Sequence, residues 1–195
     1  GVLNIQRISV NDPTSNTTFT NIKIPANTNP TFSGNINING LMFIETPNVV
    51  KFTGNAVITG LIVCNGDIEN PSETDLVEFT GTVNSYGVQN LPEEGFSDLK
   101  QETGTFLLAP GFNVTFGGDF ETINGVIATN GVEFSGNDGG TINGSVINYS
   151  EDAMILQGNT DLVFNRSGIE ENPSGFQSHK LLQFLPSSYS EPPIY

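Results

Sequence analysis

The chain reads as an all-β protein wound into a single-stranded parallel β-helix, a β-solenoid of about 19–20 residues per coil. Three observations lead there: a strand phrase that returns along the chain, a second phrase a short way after it, and glycine and asparagine at the breaks. The first phrase is apolar, any residue, large apolar, any residue, glycine. It occurs as Val50-Lys51-Phe52-Thr53-Gly54, Val77-Glu78-Phe79-Thr80-Gly81, Val114-Thr115-Phe116-Gly117-Gly118 and Val132-Glu133-Phe134-Ser135-Gly136. Met154-Ile155-Leu156-Gln157-Gly158 is an aliphatic copy, and Phe32-Ser33-Gly34 is a shortened one. Alternation with a period of two puts Val and Phe on one side of a strand and Lys51, Glu78, Thr115 and Glu133 on the other.

The second phrase is Ile38-Asn39-Gly40, Ile58-Thr59-Gly60, Ile123-Asn124-Gly125 and Ile142-Asn143-Gly144, each leading into an apolar run such as Leu41-Met42-Phe43-Ile44. Gly40 to Gly60 is twenty residues and Gly125 to Gly144 nineteen, the length of one solenoid coil. Leucine-rich repeats share that period, but they need a Leu-x-x-Leu-x-Leu pattern and a helical return that this chain lacks. Three short strands per period with glycine and asparagine corners fit a parallel β-helix. Stacked coils lie about 4.8 Å apart, so equivalent residues form columns. Phe52, Phe79, Phe116 and Phe134 are expected to make an internal aromatic column, with Phe32 below and Leu156 above. The corner glycines, in Gly34-Asn35, Gly54-Asn55, Gly136-Asn137 and Gly158-Asn159, are read as positions of positive φ.

In chain order, residues 1–31 hold two alternating segments, Leu3 to Val10 and Phe19 to Ile24, read as N-terminal cap strands. A cap is required because the first coil otherwise exposes strand edge and apolar core. Residues 32–166 form the coils. The loop Asn65 to Asp75 carries Asp67, Glu69, Glu73 and Asp75, oxygen ligands of the kind Ca²⁺ takes; its spacing matches no EF-hand, and a solvated acidic loop is the simpler reading. Residues 87–105 break the period: Phe79 to Phe116 is thirty-seven residues, close to two coils, without the phrase between. This excursion, with a helical turn near Phe96 to Gln101, is a place where binding residues collect. Residues 167–195 are read as a C-terminal cover and tail, with an apolar cluster at Leu181 to Leu185.

Composition narrows the function. Six basic residues against 21 acidic give a net charge of −15, a field that opposes nucleic acid and anionic membrane surfaces. With one cysteine, no intramolecular disulfide forms, and Cys64, at the end of an apolar run, is read as a small buried hydrophobe. The single histidine, His179, leaves little scope for a zinc site or a triad with Ser178 or Ser187. No phosphate-binding or dinucleotide glycine motif occurs. A glycosidase needs two carboxylates facing each other across a cleft; outward-facing acids such as Glu78, Glu133 and Asp119 could line a groove, but no repeated pair stands out. Lyases of acidic polysaccharides need basic side chains, and Arg7, Lys23, Lys51, Lys100, Arg166 and Lys180 are scattered. Sequons at Asn16, Asn113, Asn143, Asn148 and Asn165 would matter only in a glycosylating secretory route. No catalytic residue, metal ligand or cofactor is therefore expected.

The phrases Phe52-Thr53-Gly54-Asn55-Ala56-Val57-Ile58-Thr59-Gly60 and Ile142-Asn143-Gly144-Ser145-Val146-Ile147-Asn148-Tyr149, with Ser188-Tyr189-Ser190-Glu191-Pro192 near the end, resemble the passenger domains of bacterial prepilin-like, type IV pilus-associated surface proteins. The coils are also similar to those of bactofilin-like polymer-forming scaffolds, which are more regular and have shorter coils. The first resemblance implies a β-helix carried behind an anchoring helix, and the start at Gly1 rather than methionine fits an expectation of a preceding signal or anchor. Neither implies catalytic residues. The resulting expectation is a non-enzymatic, extracytoplasmic surface domain for adhesion, display or pilus-like assembly. Its partner would be a glycan or a protein, or further copies of itself, with no nucleic acid and no membrane contact by this segment. A carbohydrate-active β-helix, its cleft between the loops 65–75 and 87–105, and a self-assembling scaffold are the alternatives.

Overall fold

The structure, a computed structural model, describes residues 5–9, 12, 14–136, 139–159, 161–167 and 173–176. It is a β-solenoid in which every strand pairing is parallel and joins one coil to the next. Each coil has three faces. The first two are often one continuous strand bent at a corner, as in Asn35–Ile44 and Asn55–Cys64, which pair residue for residue through Gly40 and Gly60. The third face carries Val49–Phe52, Leu76–Phe79 and the ends of Thr105–Phe116 and Val126–Phe134.

Alternation fills the tube. Ile38 and Ile58 line the first face from inside, Met42, Ile62, Leu107 and Ile127 the second, all fully buried. On the third, Phe32, Phe52, Phe79, Phe116 and Phe134 occupy successive rungs in register. Their rings stack at centroid distances of 4.9, 4.8, 5.1 and 5.1 Å with interplanar angles of 8–15°. The strand spacing itself sets that separation, so backbone pairing and ring stacking reinforce each other. Leu156 follows on the next rung opposite Phe134, but there it is 54% exposed.

The corner glycines have two different causes. Gly60 has a φ of +146°, and a β-carbon on it would lie 1.9 Å from the carbonyl oxygen of Gly40 in the coil before. Gly54 and Gly81 do not have positive φ, contrary to the expectation for Gly54. A β-carbon on either would stand 2.1 Å from the carbonyl oxygen of the preceding coil's corner, so close stacking requires glycine there. Winding also starts ahead of residue 32: Thr18–Ile24 pairs in parallel with Asn37 to Ile44, with a shift of register between Thr20 and Ile22, and Gln6–Arg7 pairs with Ile22 and Lys23.

Residues 80–116 make one coil rather than two, because Phe79 and Phe116 are direct neighbours in the stack. The extra residues form an excursion with 3-10 turns at Val88–Asn90 and Leu99–Gln101. Val88, Leu91, Phe96 and Leu99 pack with Leu61, Leu41 and Val63 on the outside of the second face, making a small second core. The apolar runs after Gly40 and Gly60 thus belong to strands covered on both sides. Higher up, Ser174 donates its N–H to the Thr103 carbonyl and accepts from the Thr105 hydroxyl at 2.6 Å, which sets Gly175 against Leu108.

At the lower margin of this face, Lys23 sits 5.6 Å from the centre of the Phe43 ring and 2.5 Å from the Glu45 carboxylate. The Lys23 ammonium, helped by the Ala26 N–H, holds the Glu45 carboxyl below its ordinary range. A lowered folded-state value means that the stabilisation is present above the unfolded pKa of about 4.3 and lost as pH falls through the folded value. Lys23→Met should therefore flatten the acid-side fall of the denaturation midpoint below about pH 4.3; an unchanged profile would show that the pair contributes nothing.

Candidate functional site

The acids of the 65–75 loop do not converge. Asp67 turns its carboxylate onto its own loop, accepting from the Glu69 N–H at 2.9 Å and from Asn70, and these bonds lower its pKa. Asp75 lies inside the corner, 1% exposed, where one carboxyl oxygen accepts the Asn48 N–H at 2.7 Å and the other the Thr46 hydroxyl. Its own carbonyl accepts the Asn113 N–H of the coil above. Asp75 is therefore a structural tie across coils, not a member of a solvated acidic set. Cys64 is buried nearby, and desolvation, then the charge of Asp75, push its thiol well up.

Glu78 and Glu133 project the same way from the third face with Thr115 between them. Glu78 is paired with Lys51 at 2.8 Å, and Glu133 accepts from the Gln157 amide at 2.6 Å. Asp119 is exposed at a different corner. A groove of about 380 Å³ on this face includes Glu73, Glu133 and Asp152. His179, Ser178, Ser187, Lys180 and Leu181 to Leu185 lie outside the described residues. Of the sequon asparagines, Asn16 and Asn165 are exposed and Asn113, Asn143 and Asn148 half-buried. Among the described residues no helix is long and apolar enough to cross a membrane.

What the structure assembles is on the first face. The outward position before each corner forms a column of Asn39, Thr59 and Tyr86, and above them Asn124, Asn143 and Asn165; a glycine follows each but Asn165, which Arg166 follows. The neighbouring outward column holds Asn37, Val57 and Asn84, then Thr122 and Thr141. None of these side chains carries a charge at neutral pH, in a chain of net charge −15, although the Asn84 amide donates to the Glu121 carboxylate at 2.8 Å beside the column. The upper amides are linked: Asn124 donates to the Ser85 carbonyl at 2.6 Å, Asn143 to the Asn124 side-chain oxygen at 2.8 Å, and Asn165 to that of Asn143 at 3.1 Å. Ser85 explains the bottom of this ladder. It stands on the inward column above Ile58, fully buried, and its hydroxyl accepts the Asn124 N–H at 2.7 Å.

The excursion supplies the opposite wall. Gln89 and Thr103 face Asn124, Asn143 and Asn165 across Gly87, Gly104 and Gly125, enclosing an open groove of about 410 Å³ that also takes in Thr105 and Ser167. That volume is in the range of small-molecule clefts. It takes no residue from the 65–75 loop, so the cleft expected between the two loops does not form there. Comparison with protein-family models, curated proteins and solved structures finds no match. Among the described residues the groove's lining is amide, hydroxyl and backbone, a surface that donates and accepts hydrogen bonds without charge. The Asn39/Thr59 and Asn124/Asn143 alternatives were visible in the second repeat phrase as corner residues; that they line up into a face needed the register.

Proposed function

We propose that this chain is a non-enzymatic, extracytoplasmic surface domain that works by adhesion, holding a partner against the amide- and hydroxyl-rich first face. One observation carries the reading: a regular array of Asn, Thr and Tyr side chains, uncharged at neutral pH and with the Glu121 carboxylate beside it on Asn84, on an acidic solenoid. Keeping fixed charge off a surface lowers the desolvation penalty of covering it.

The test is retention of the purified chain on glycan-coated and protein-coated sensor surfaces. Thr59→Glu with Thr122→Glu places two charges on the face, and retention should fall at least about tenfold, about 1.4 kcal/mol, with the melting temperature unchanged. Retention indifferent to those charges, or turnover of a polysaccharide, would overturn the reading.

A further inference from the structure

We infer that the groove between the excursion and the asparagine ladder is a subsite for a neutral, extended hexopyranose polymer lying along the solenoid axis; this rests on the adhesive reading of the first face. Three observations meet there. Among the described residues the groove is lined by no ionisable group. An anionic glycan would approach a chain of net charge −15, and a cationic ligand would favour the acidic third-face groove instead. A neutral sugar meets neither obstacle.

The amides also have capacity to spare. Each carboxamide offers two N–H donors and an oxygen with two lone pairs. Among the described residues, the ladder bonds of Asn143 use one N–H, toward Asn124, and one lone pair, toward Asn165. The remaining donor and acceptor match the paired hydroxyls of a sugar ring. Successive amides stand one rung apart, about 4.8 Å, close to the length of one pyranose unit, so an extended chain would meet one carboxamide per sugar.

Tyr86 completes the arrangement. It is 44% exposed, it follows Ser85, whose carbonyl holds the foot of the ladder, and it precedes Gly87, which lines the groove. The C–H face of a pyranose packs on such a ring while the phenol hydroxyl stays in water. Gln89, exposed on the excursion wall, faces the ladder from the other side.

Calorimetric titration with cellohexaose, mannohexaose and polygalacturonate tests this, using the whole chain, Tyr86→Ala and Gln89→Ala. Both positions are exposed, and unchanged melting temperatures will verify folding. The expected result is binding of a neutral hexasaccharide, weakened roughly tenfold by Tyr86→Ala and measurably by Gln89→Ala, with no binding of polygalacturonate. Binding that ignores both substitutions, or preference for the anionic polymer, overturns the subsite while the adhesive reading stands. No glycan binding beside charge-sensitive retention on protein-coated surfaces does the same. Loss of retention on every surface removes both.

Discussion

Phe116→Ala should destabilise the chain by about 3–5 kcal/mol in equilibrium denaturation. Phe116 is 1% exposed and lies between Phe79 and Phe134, each 5.1 Å away, with Phe120 tilted against it at 5.7 Å. Truncation removes two stacking contacts at once and leaves a cavity whose walls cannot close, because backbone pairing holds the rungs apart on both sides. A loss below about 1 kcal/mol would mean that the ring is not inside the tube.

Asp75→Ala is the second large effect, expected at about 3–5 kcal/mol. The substitution strands the buried Asn48 N–H and the Thr46 hydroxyl together. Asn48 is itself only 1% exposed and donates to the Pro25 and Glu45 carbonyls while accepting from the Asn29 N–H, so the fault spreads over several coils. Asp75→Asn keeps an acceptor for the Asn48 N–H and should recover part of the loss, by the usual asymmetry between a weakened bond and an absent one. Equal losses in Ala and Asn would show that the carboxyl's bonds are not what matters at this corner.

The winding and the Phe column could be read directly, because identical side chains on successive rungs write a strong period into the sequence. Three things could not. The thirty-seven residues from Phe79 to Phe116 have nearly the length of two coils, and only the ring contact shows that they are one coil plus an insertion. Asp75 looks like its acidic neighbours on paper; its burial depends on Thr46 and Asn48, twenty-nine and twenty-seven residues away. The candidate groove depends on where the excursion returns, a long-range fact with no local signature. A clue did exist in the unbroken run Leu61-Ile62-Val63-Cys64, since a strand with one wet side would alternate; it announced that something must lie over that face.

The gap-free match of Asn35–Ile44 with Asn55–Cys64, an offset of twenty residues, has a consequence for how such a molecule can change size. A turn that sits on its neighbour without a slip can be copied in tandem, each duplicate adding about 4.8 Å of reach and a nearest-neighbour increment of stability. Growth by this route leaves the residues nearer the C-terminus untouched. The distance a tip stands from its base and the chemistry displayed at that tip are therefore independently adjustable.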